Sequence, residues 1–194
     1  MQGVLSELLG VDAKHEYIPH CHAEVMRDLN NNDTYSEETN RDLDMKVSMI
    51  RRVGGDHVDV GQGFMKSYIY RFIDEFDDMD CIHLFRDPKE VMESWKSRKP
   101  SQQEKWHLKS HWRKNLTRTN YILPEHENWE WECGEIAARF KHYKPYFRRT
   151  FEFDFRDLND PSRWRELFSE FDIEYKAFDS VPDVFRNESE SKLN

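Results

Sequence analysis

The stretch that most constrains the fold is CIHLFRDPKEVMES, residues 81–94. Cys81 to Phe85 is a short apolar run of the kind a buried strand uses. Arg86 ends it. Asp87 is a good helix N-cap, and Pro88 fits the first helical position, where its missing N–H is not needed. Glu90 stands three residues after Asp87, as in a capping box. Val91 and Trp95 share one helical face. The stretch therefore predicts a strand over 81–85, a sharp turn and a helix over 88–98. That is the βα joint at which open α/β sheets place ligands.

The cap chemistry does not require Arg86. An arginine at the carboxyl end of a strand, over a helix N-terminus, can hold a phosphate with its guanidinium fork. Ser94 lies seven residues past the cap, about two turns, and returns to roughly the same face. Its hydroxyl can donate to the same anion. The plainer alternative is an ordinary capped joint with Arg86 ion-paired to a neighbour.

The rest of the chain fills in an alternation of helices and strands. Val4, Leu5, Leu8 and Leu9 recur at helical spacing, and Gly10 is a natural stop. A polar segment over 28–40 leads to a helix from Ser36 to Arg52. GGDHVDVGQG alternates around Val58 and Val60 and predicts a strand. Lys66 to Phe76 reads as a helix. Residues 101–120 read as a polar helix, ILPEHENW as a loop, and Trp129 to Tyr143 as a helix with Ile136, Ala137 and Phe140 inward. RRTFEFDF alternates Phe151, Phe153 and Phe155 on one strand face. Pro161 opens a last helix to Phe171 with Trp164, Leu167 and Phe168 buried. The expected fold is one three-layer α/β domain over 1–182 with a mostly parallel sheet, then a frayed tail over 183–194.

Composition narrows the function. Of 194 residues, 35% are charged and 37% hydrophobic, yet 14% are aromatic, which reads as a folded domain with a very polar surface. A net charge of −9 argues against a nucleic-acid groove. No run of apolar residues is long enough to span a membrane. Cys21, Cys81 and Cys133 are scattered and odd in number, which points to a reducing compartment such as the cytoplasm. His20, Cys21 and His22 alternate across a strand and lack a second ligand cluster, so no metal is expected.

The order of elements, with Arg86, Asp87, Pro88, Val91 and Ser94 at their spacings, resembles the sulfotransferases that use 3′-phosphoadenylyl sulfate. Three further stretches agree. LLGVDAKHE resembles the segment after the phosphate-loop helix, which in many members ends in Gly-His-Glu; Lys14 replaces the glycine. WECGEIAARFK resembles the helix before a later strand. FEFDFRDL resembles that strand's Tyr-Glu-Asp-Leu end, with Phe155 and Arg156 in place of Tyr and Glu and with Asp157 and Leu158 matching. The resemblance implies a phosphate-loop type α/β fold and the sulfuryl donor as cofactor. It gives Arg86 and Ser94 to the donor's 3′-phosphate, and a hydroxyl- or amine-bearing glycan or small molecule as acceptor. Glu16 is the first candidate for the base that activates the acceptor, and His15 the second.

One departure is large. The family's first strand and its Gly-rich phosphate loop precede the first helix, and here Met1 already stands in that helix. Gly54, Gly55, Gly61 and Gly63 lie elsewhere in the order. The expectation is that residues 1–194 alone bind donor poorly and transfer little sulfate. A catalytically degenerate nucleotide-binding or interaction module of the same fold is the alternative, and a small-molecule kinase a lesser one. Trp95, Trp106, Trp112, Trp129 and Trp131 flank the presumed acceptor cleft or lie in the core. The KSRK run at 96–99 adds positive field near the 3′-phosphate or is a solvated helix end.

Overall fold

The computed structural model describes residues 36–53, 58, 64–97 and 125–175. Within them the chain runs α1 (Glu37–Val53), a π-helical turn (Phe64–Tyr68), α2 (Ile69–Ile73), β1 (Asp80–Phe85) and α3 (Pro88–Lys96). Then come α4 (Glu125–Tyr143), a 3-10 turn (Lys144–Tyr146), β2 (Arg149–Asp154), a second 3-10 turn (Phe155–Asn159) and α5 (Pro161–Glu170).

The described strands form a parallel pair, with Asp80 opposite Arg149 and Phe85 opposite Asp154. Parallel neighbours need a crossover, and the chain between them carries α3 and α4. Each face of the pair carries helices. Ile82, Phe151 and Phe153 pack with Trp164, Leu167 and Phe168 of α5. Cys81 packs on the other face with Ile69 of α2 and Phe140 of α4. Leu43 and Val47 of α1 close on Tyr68 and Phe72. This is α/β architecture with a small parallel sheet among helices.

Local chemistry explains the element ends. Ser36 caps α1: its Oγ accepts the Thr39 N–H at 3.2 Å, and Glu37 and Glu38 complement the positive helix end. Asp160 caps α5 by accepting the Ser162 N–H at 2.8 Å, with Pro161 behind it. That helix ends in a Schellman motif. Asp172 takes φ 48°, the Ile173 N–H reaches the Phe168 carbonyl at 2.9 Å, and the Asp172 N–H reaches Ser169. Trp164 is fully buried, and its indole N–H donates to the Leu158 carbonyl at 2.8 Å, so its one polar atom is satisfied.

The amino edge of the strand pair is pinned by charge. Asp80 accepts from Arg148 Nε at 3.0 Å and from Arg149 Nη2 at 2.7 Å. Burial alone would raise the Asp80 carboxyl, but the hydrogen bonds from Arg148 and then Arg149 outweigh it and hold the pKa below its ordinary value.

Several expectations need correction. The segment read as a loop over 122–129 is helical from Glu125. The helix expected over 66–76 begins as a π-helical turn and regular winding stops at Ile73, with Asp74 as its C-cap. Phe155 leaves the strand: Asp154 accepts the Arg156 N–H at 2.9 Å and turns the chain into a 3-10 segment. Val58 is outside any strand and packs on the α5 core. The expected elements before residue 36 and over 101–120, and the tail over 183–194, lie outside the described residues.

Candidate anion site at the carboxyl edge of the sheet

β1 ends at Phe85 and Arg86 follows directly, with α3 starting at Pro88. The parallel register brings Asp154, the end of β2, beside Phe85, and Phe155 and Arg156 follow there. Arg86, Glu90, Asp154, Phe155 and Arg156 therefore gather at the carboxyl edge of the strand pair. Leu84 and Phe85, the last residues of β1, are 38% and 40% exposed, so this edge presents apolar surface beside the charges.

Arg86 is held on two sides. Its guanidinium carbon lies 4.2 Å from the centre of the Phe155 ring, inside cation–π range. Its Nε donates to Glu90 Oε2 at 3.2 Å. The side chains are 28% and 38% exposed. Nη1 and Nη2 carry no hydrogen bond among the described residues. The Glu90 carboxylate thus meets Arg86, whereas the capping-box pattern had assigned it to the helix start. Asp87 does cap α3, accepting the Lys89 N–H at 2.7 Å. That carboxylate occupies a donor which an anion over the helix end would use, so the Arg86 fork has more donors to offer an anion than the helix terminus does.

Ser94 stands on α3, half-buried, and its carbonyl accepts the Ser97 hydroxyl at 2.7 Å. No hydrogen bond joins Ser94 to Arg86. Arg156 grips Asp154 through Nε at 3.1 Å and Nη2 at 2.5 Å. These hydrogen bonds pull the Asp154 carboxyl down to about 2, so it is ionised at neutral pH. Glu90 lies within electrostatic reach of Arg156.

His83 of β1 belongs to none of the sequence motifs. It sits inside the apolar run and stacks on Phe140 at 4.5 Å. Its Nδ1 is buried without a hydrogen-bond partner among the described residues. Burial lowers its pKa, while Glu152 across the strand pair pulls the other way. The alternation of CIHLF was the available signal, since it puts residue 83 on the face of Cys81.

The other candidates distribute plainly. Glu16 and His15 lie outside the described residues, as do Lys14, His20, Cys21, His22, Trp106 and Trp112. Trp95 and Trp129 stand on α3 and α4, and Trp131 is half-buried on α4. An open hollow of about 330 Å³ lies between α2 and α4, lined by Tyr70, Glu135, Ala138, Arg139, His142 and Tyr143. It includes none of the carboxyl-edge residues. Arg139 of the hollow is already engaged by Glu135 at 2.8 Å and by the Met65 carbonyl. Among the described residues no helix is long and apolar enough to cross a membrane.

Comparison with family models, with curated proteins and with solved structures finds no match to this chain.

Proposed function

We propose that the protein is a sulfuryl transferase that takes its group from 3′-phosphoadenylyl sulfate, on a three-layer phosphate-loop type α/β domain. The observation that carries this reading is Arg86. It follows a parallel strand directly, precedes a capped helix, and keeps both terminal guanidinium nitrogens without a partner among the described residues. A planar fork at that position matches two oxygens of a phosphate.

The donor supplies a sulfuryl group activated by its bond to a phosphate. Arg86 holds the 3′-phosphate through Nη1 and Nη2, and the Ser94 hydroxyl donates to the same group. Together they distinguish a 3′-phosphorylated nucleotide from one with a free 3′-hydroxyl. As the acceptor oxygen or nitrogen bonds to sulfur, the sulfur–oxygen bond to the donor's 5′-phosphate breaks and adenosine 3′,5′-bisphosphate leaves; Glu16 takes the acceptor's proton, with His15 as the second candidate. The acceptor is a glycan or small molecule.

The test is transfer of labelled sulfate from the donor to a panel of glycan and small-molecule acceptors, with the protein expressed from its complete reading frame. Labelled product with at least one acceptor class is expected, reduced at least tenfold in Arg86→Ala. That is the scale of one charge-assisted contact, about 1.5–3 kcal/mol. Label that stays in donor or inorganic sulfate with every acceptor contradicts the reading.

A further inference from the structure

We infer that Glu90 and Phe155 are positioning residues that hold the Arg86 guanidinium in the pose that meets a phosphate. The inference rests on the reading above and deepens it.

An arginine side chain has many rotamers, and binding an anion freezes them. Pre-organisation removes part of that cost before the ligand arrives. Two restraints act here. The Phe155 ring lies 4.2 Å from the guanidinium carbon and constrains its plane. Glu90, one helical turn along α3, takes Nε and constrains the rotation within that plane. Neither uses Nη1 or Nη2, so the fork remains available.

Each restraint has its own cause in the chain. Glu90 stands four residues after Arg86 and reaches back past the cap. Phe155 is placed by the turn at the end of β2: Asp154 captures the Arg156 N–H, and Trp164 ties down the Leu158 carbonyl three residues on. The register Phe85↔Asp154 then puts Phe155 beside Arg86. The negative charge of Glu90 opposes an incoming anion, and Arg156 within its electrostatic reach offsets part of that opposition. An exposed i,i+4 ion pair with no such role would contribute little to stability and nothing to ligand discrimination.

The experiment measures the ratio of the dissociation constants for AMP and for adenosine 3′,5′-bisphosphate by ligand-detected NMR titration. The variants are Glu90→Ala, Glu90→Gln, Phe155→Leu and Arg86→Ala. The expected result is that Glu90→Ala and Phe155→Leu each lower the ratio by about threefold or more, the scale of one exposed charge contact, with AMP affinity unchanged. Glu90→Gln keeps an oxygen that accepts from Nε and loses the opposing charge, so its ratio should stay at or above the wild-type value. In an Arg86→Ala background, Glu90→Ala should no longer lower the ratio. A high wild-type ratio untouched by Glu90→Ala, or lowered as much by Glu90→Gln, overturns the inference and leaves the parent reading standing. A wild-type ratio of one overturns both.

Discussion

Replacing Trp164 with phenylalanine probes the joint between the core and the carboxyl edge. Trp164 is fully buried, 5.0 Å from the Phe153 ring and 5.9 Å from Phe168. Phenylalanine keeps an aromatic ring but lacks the indole N–H. The buried Leu158 carbonyl then loses its 2.8 Å partner, which costs about 1–3 kcal/mol. The missing ring atoms leave space that a close-packed core fills poorly, costing about 1 kcal/mol more. The total is about 2–4 kcal/mol, or roughly 4–16 °C in Tm for a chain of this size. Urea unfolding followed by far-ultraviolet circular dichroism measures it, with the denaturant slope expected to stay constant. Phe168→Leu is the control, because it alters the same core without touching a hydrogen bond and should cost about 1 kcal/mol. A Trp164→Phe loss no larger than that of the control refutes the reasoning, since the Leu158 carbonyl would then not depend on the indole.

Two further outcomes follow from half-buried ionisable groups. Asp80→Asn should cost about 1–2 kcal/mol at neutral pH in the same urea assay, because Arg148 and Arg149 lose their shared carboxylate and both are partly exposed. The folded Asp80 pKa lies below the ordinary 3.8, so its stabilisation is present above that value and fades as the pH falls through the folded one. The gap between the two proteins should close in that acid window. His83 titrates in the folded state below its ordinary 6.5. The unfolded chain therefore binds the proton first, and stability should fall as the pH drops from 6.5 through the folded value. His83→Phe should flatten that part of the stability profile; an unchanged slope would show that His83 does not titrate there.

The parts of this fold legible in the sequence are those where one local rule acts alone. The run Cys81–Phe85 gives β1 to within a residue, because its length and apolarity leave few alternatives. Pro161 and the spacing of Trp164, Leu167 and Phe168 give α5 and its buried face, because first-turn proline and period agree. Illegible parts are those where two local rules compete. Glu90 is placed to cap the helix start and also to pair with Arg86, and only the fold decides for Arg86. Phe155 continues an alternation that predicts strand, yet the Asp154 side chain captures the next N–H and ends it. That ending puts Phe155 under Arg86, a contact between residues far apart in the chain. His83 was overlooked because a single imidazole in an apolar run signals neither its stacking on Phe140 nor the burial of its Nδ1.

Recognition of a 3′-phosphate by Arg86 is the claim on which the functional account stands. Calorimetric titration of adenosine 3′,5′-bisphosphate and of AMP into wild type and Arg86→Ala tests it directly. The wild type should bind the bisphosphate more tightly than AMP. Arg86→Ala should lose about 1.5–3 kcal/mol of bisphosphate binding, roughly ten- to 150-fold, with AMP affinity unchanged. Equal wild-type affinity for the two nucleotides, or a bisphosphate affinity that survives the loss of Arg86, contradicts the account.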